Sequence, residues 1–82
     1  MQPLVTEFHS ACSAILRERS APALNYAVGY ASAGLHMTSP AMIEVQCLYI
    51  LNNITHWRGP IAAETRMTFK RLSKPATWKE MA

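Results

Sequence analysis

From Ser20 to Ile43 the chain carries no Asp, Glu, Lys or Arg. The only titratable side chains in that stretch are Tyr26, Tyr30 and His36. An uncharged stretch of this length does not stay against water. It requires cover, either from the rest of the chain or from a second copy. The apolar run Ala21–Leu35 is broken by Asn25, Gly29 and Ser32. It is also shorter than the ~20 residues a membrane span needs. The expectation is therefore a buried helical hairpin, centred on residues 21–57, with no membrane partner.

A chain of 82 residues is one domain with a thin core. Half of its residues are hydrophobic and 16% are charged, against ~25% charged in ordinary soluble domains. That balance points to a homo-oligomer, most simply a dimer, in which part of the surface is an interface. The N-terminus, MQPLVTEFHS, contains Glu7 and no basic segment, so it does not read as a signal peptide and a cytoplasmic location is expected. Cys12 and Cys47 then read as small buried hydrophobes rather than a disulfide. Charge is uneven along the chain. Residues 1–55 hold Arg17 and Arg19 against Glu7, Glu18 and Glu44, a net of −1. Residues 56–82 hold Arg58, Arg66, Lys70, Arg71, Lys74 and Lys79 against Glu64 and Glu80, a net of +4. A basic C-terminal part makes an acidic protein or a nucleic acid a candidate partner.

Periodicity predicts an all-α fold, a compact four-helix array over about residues 3–19, 21–33, 40–57 and 60–73. In the first helix Leu4, Val5, Phe8, Ala11, Cys12, Ile15 and Leu16 form one apolar stripe, and Pro3 suits the first turn. The second helix is capped by Ser20 and stopped by Gly34 in a left-handed C-cap. It places Leu24, Ala27, Val28 and Ala31 on one face and Tyr26, Tyr30 and Ala33 on another. Ala23, Ala27 and Ala31 recur every four residues and let a neighbouring helix approach closely. Self-association is expected through this helix or the hairpin it opens, with Tyr26, Tyr30, Ala23 and Ala27 as contacts. The third helix follows a Thr38-Ser39 cap and Pro40. Ile43, Cys47, Ile50, Leu51 and Ile54 make its core stripe, and Met42, Val45, Leu48 and Tyr49 widen it beyond one face. Gly59-Pro60 stops it. In the fourth helix Ile61, Thr65, Thr68, Phe69 and Leu72 face inward, and Pro75 ends it. The domain is read as residues 1–75. The tail, 76–82, is either a frayed end or one further turn with Trp78 packed back on the bundle.

The catalytic inventory is poor. There is no Asp, the five glutamates are scattered, and no glycine-rich phosphate loop is present. His9 and Cys12 lie at i, i+3, with Cys47 and His56 further along, but the spacing fits no compact zinc module. A Cys–His nucleophile pair lacks an orienting carboxylate. No enzyme activity, metal or cofactor is expected. The basic residues say more. Arg66, Lys70 and Lys74 recur at four-residue spacing, with Arg71 beside them and Arg58 just before the helix. They read either as a solvated face or as a stripe that meets phosphates or an acidic surface. The start of that helix, Pro60-Ile61-Ala62-Ala63, offers nothing to read a base edge, so sequence-specific DNA recognition is not expected. The cluster Asn52–Gly59 is either a C-terminal turn in which Trp57 covers the core or a recognition patch with Trp57 as anchor.

The run Ala23–Leu35, then Glu44-Val45-Gln46-Cys47-Leu48-Tyr49-Ile50-Leu51-Asn52-Asn53, then Trp57-Arg58-Gly59 resembles small accessory proteins of tailed phages and prophages, over about residues 20–72. The resemblance implies a protein that binds and blocks or redirects a host factor, and it assigns no functional residue. Taken together, the sequence predicts a non-enzymatic protein-interaction module that meets an acidic protein through Trp57, Arg58, Arg66, Lys70, Arg71 and Lys74. The alternative is a small protein contacting nucleic-acid phosphates non-specifically with the same cations.

Overall fold

The computed structural model describes residues 2–80. The fold is all-α, as the periodicity predicts. Five helices follow in order: α1 (Pro3–Arg17), α2 (Ala27–Gly34), α3 (Pro40–Asn52), α4 (Pro60–Leu72) and α5 (Pro75–Glu80). No helix among the described residues is long and apolar enough to cross a membrane. The radius of gyration, 11.7 Å, is that of a closely packed chain of this length.

The first helix buries most of the stripe read from the sequence: Leu4, Val5, Phe8, Ala11, Cys12 and Ile15 lie in the core, Leu16 is only partly buried against it, and Ala14 is buried in addition. Its N-terminus is capped by the Gln2 side chain, which accepts from the amides of Leu4 and Val5. Before α2 the chain departs from expectation. Pro22–Leu24 form a 3₁₀ turn, closed by Leu24 N–H to Ala21 O at 3.0 Å and Asn25 N–H to Pro22 O at 3.2 Å. The turn drives Leu24 fully into the core, and α2 starts only at Ala27, so Ser20 caps nothing. Gly34 does not form a left-handed cap either, because only Gly59 has a positive φ among the described residues. Its role is close approach. A Cβ at Gly34 would lie 2.8 Å from Cys12 Sγ and 2.9 Å from Phe8 Cζ.

The third helix starts at Pro40 as predicted, but the Ser39 side chain makes no capping bond. It stops at Asn52, five residues short of Trp57. Two adjacent asparagines are poor helix formers, and Asn53 Nδ2 donates to Tyr49 O at 2.8 Å, a carbonyl that the next helical turn would have used. Looser turns follow, with Trp57 N–H to Ile54 O at 3.1 Å, and they turn Ile54 and Trp57 into the core. Gly59, at φ 113° and ψ 172°, makes the sharp entry into α4, in a region that only glycine occupies without strain. Along α4, Ala62, Thr65, Phe69 and Leu72 are buried, whereas Ile61 points outward. Of the two readings of the tail, the further turn is the one found over Pro75–Glu80. Trp78 is buried and its Nε1–H donates to Leu72 O at 2.8 Å. Met1, Met81 and Ala82, at the ends of the expected domain and tail, lie outside the described residues.

One core unites these elements. α1 packs on α2 and α4, α3 packs on α4 and α2, and α5 closes against α4 and α3. Phe8 and Phe69 meet edge to face at its centre, with ring centroids 6.0 Å apart. Two polar ties fix the hairpin. His9 Nε2–H donates to Met37 O at 2.7 Å, and the buried Gln46 donates from Nε2 to Tyr30 O at 2.8 Å.

Candidate interaction surfaces

The cations of the predicted stripe do not act together. Arg66 is half-buried, and its Nη2 donates to Ile54 O at 2.9 Å and to Trp57 O at 2.7 Å. It ties together two carbonyls of the irregular segment that follows α3, where no helical ladder continues. Arg58 Nη1 donates to Thr55 O at 2.8 Å. Arg71 forms an ion pair with Glu7 of α1, an exposed pair worth ~0–1 kcal/mol. Trp57 is 5% exposed and belongs to the core. It is the core-covering reading of Asn52–Gly59 that the structure shows, and Trp57 cannot serve as a surface anchor in this fold.

What remains together is a shallow groove between α4 and α5. Lys70, Arg71 and Lys74 line it with Met67, Thr68, Thr77 and Glu64. Among the described residues neither Lys70 nor Lys74 has a carboxylate partner. Thr77 Oγ1 donates to Arg71 O at 2.8 Å and, with Trp78, holds the α5 wall of the groove in place. Met67 lies one turn before Lys70 and Arg71 and is 71% exposed.

A second surface lies on α2 and α3. The outward side of α3 presents Met42, Val45, Leu48 and Tyr49, all about half exposed, while Ile43, Gln46, Cys47 and Ile50 take the inner side. Tyr30 of α2 stacks on Tyr49 with centroids 5.7 Å apart and an interplanar angle of 23°, and Tyr26 is 81% exposed. The alanines expected to mediate self-association are used internally instead. Ala27 is fully buried on the face shared with Gly34, whose neighbours are Phe8 and Cys12. Ala23 lies in the 3₁₀ turn, partly buried against the core. By periodicity Met42, Val45, Leu48 and Tyr49 belong to a widened core stripe, and no motif marks Met67. The available signal was the apolar circumference of α3, more than one face of a thin domain can cover.

The thiols are poor sites for chemistry. Cys12 and Cys47 are fully buried. Burial, reinforced by the neighbouring Cys47, pushes the Cys12 thiol up to about 12. Burial, with Glu44 nearby, does the same for Cys47. Neither forms thiolate near neutral pH, the species needed for nucleophilic attack or metal ligation. Among the described residues no three His, Cys, Asp or Glu side chains gather where a metal ion could be held. Compared with protein-family models, curated proteins and solved structures, the chain matches none.

Proposed function

We propose that this protein is a non-enzymatic interaction module that binds an acidic protein surface through the α4–α5 groove. The observation that carries this reading is Met67, 71% exposed beside Lys70 and Lys74. An apolar side chain among cations is interface chemistry, because Met adapts to an apolar partner while the lysines steer an acidic one. It gives nothing to a phosphate backbone. The phosphate reading also loses Arg66, whose guanidinium is committed to the protein's own carbonyls. A phage or prophage accessory role in the host cytoplasm, suggested by the resemblance of residues 20–72, makes a host protein the natural class of partner.

The test is retention from a bacterial lysate, with and without nuclease, by the wild-type chain, Met67→Ala and the double variant Lys70→Glu/Lys74→Glu. The expected result is one host protein retained in both lanes, weakened by Met67→Ala and lost with the double variant. Retention that vanishes with nuclease, falls steeply with salt and ignores Met67→Ala would assign the groove to phosphates instead.

A further inference from the structure

We infer that two copies of this chain pair through the outward face of α3, with Tyr26 and Tyr30 at its edge. The inference uses different helices from the α4–α5 groove and does not depend on that reading. Its first support is area. Tyr26, Tyr30, Met42, Val45, Leu48 and Tyr49 are exposed by 81, 39, 56, 48, 51 and 49%. At ~200 Å² for a large side chain, these fractions leave roughly 650 Å² of apolar surface on one face. The largest patch on an ordinary monomer is ~300–600 Å², and a stable pair needs ~800 Å² from each partner. The patch exceeds that of an ordinary monomer and supplies most of the area that a stable dimer buries on each side.

The second support is charge. No charged residue lies between Ser20 and Ile43, and Glu44, the only charged residue of α3, is half-buried. A charged partner finds only the half-buried Glu44 to pair with here. Two copies of a neutral patch meet without like-charge repulsion, and interface cores are depleted of charge. The third support is relief. The Tyr30–Tyr49 stack stands between two hollows, one beside Tyr26 and Gly29 and the other beside Met37 and Met42. A two-fold interface must be complementary to itself. A patch that carries both a ridge and the recesses beside it supplies the two shapes that such an interface needs.

The experiment is sedimentation equilibrium of the full chain across the micromolar range, for wild type, Val45→Arg, Leu48→Glu and the control Ser10→Glu on α1. Each substitution occurs twice in a two-fold dimer. The expected result is a wild-type dimer, an unchanged control, and dimer dissociation constants raised at least ~100-fold by Val45→Arg and Leu48→Glu, with helical circular dichroism retained. Wild-type chain that stays monomeric overturns the inference, and so do variants that pair as tightly as the control. A second measurement needs no substitution: nitration of Tyr26 should slow as wild-type concentration rises. A rate independent of concentration overturns the inference even if the variants do not fold. None of these outcomes bears on Lys70 or Lys74, whose variants report on the groove separately.

Discussion

Arg66 Nη2 donates to the carbonyl oxygen of Trp57 at 2.7 Å, and the same nitrogen reaches Ile54 O at 2.9 Å. The guanidinium thus braces the irregular turn between α3 and α4, where helical hydrogen bonds have stopped. Hydrogen bonds from a charged donor contribute ~1.5–3 kcal/mol. Arg66→Ala is therefore expected to cost ~2 kcal/mol, read as a lower urea midpoint with an unchanged slope. Arg66→Lys should restore little, because an ammonium on a shorter, unforked side chain does not reproduce the guanidinium geometry.

Gly34 is required by its neighbours rather than by its backbone. The absent Cβ would fall 2.8 Å from Cys12 Sγ and 2.9 Å from Phe8 Cζ. Both belong to fully buried side chains that cannot swing aside. Gly34→Ala should cost ~1–3 kcal/mol by overpacking, although alanine is the better helix former. Combining it with Cys12→Ala relieves one of the two clashes. A double-mutant cycle should then show a favourable coupling of at least ~0.5 kcal/mol; strict additivity would show that the two residues do not press on each other.

The buried thiols tie stability to alkaline pH. In the fold both hold their protons to about 12, against an ordinary 9.0. Between those values the unfolded chain gives up protons that the folded chain keeps. The contribution is complete below pH 9 and is lost as pH rises towards 12, at most ~1.4 kcal/mol per pH unit for each thiol. Denaturation midpoints should fall above pH 9, and less steeply in Cys47→Ala than in wild type. Alkylation at pH 8 should track global unfolding, since neither thiol is reachable in the folded chain.

The parts of the fold that the sequence discloses are those with one wet face. α1 keeps its charged residues off a single apolar stripe, so its existence and nearly all of its buried residues can be read directly, Leu16 and Ala14 at the stripe's edge excepted. α3 is different. It is apolar nearly all round, and periodicity cannot say which side meets the core, so Val45 and Leu48 pass for core residues although they face outward. The misjudged boundaries have local causes. Ser20 and Pro22 look like a helix start, yet the chain uses a 3₁₀ turn there to bury Leu24. Arg66 looks like one member of a periodic cationic stripe because spacing records where a side chain begins and not what it reaches. Its partners are backbone carbonyls nine and twelve residues away, and no motif marks a carbonyl. The groove itself depends on α5, a six-residue helix beginning at Pro75, where the sequence leaves a frayed end and a further turn equally open.

Trp78 connects that short helix to the proposed function. Six residues do not hold a helix in water by themselves, so α5 persists through what it touches. The ring of Trp78 is buried and its Nε1–H reaches Leu72 O, the last residue of α4. Trp78→Phe keeps most of the ring and loses the hydrogen bond, which should cost ~1 kcal/mol. Trp78→Ala loses both and should cost ~3–5 kcal/mol. The α5 wall carries Thr77, so detaching α5 also opens the groove beside Lys74. Hydrogen exchange in Trp78→Phe should therefore quicken first in the amides of α5, with α1 still protected. Retention of an acidic partner should weaken in the same variant although Trp78 itself is not exposed. Exchange that quickens uniformly over the whole chain would show instead that α5 opens only with global unfolding, and Trp78→Phe would then leave partner affinity unchanged under conditions where the chain stays folded.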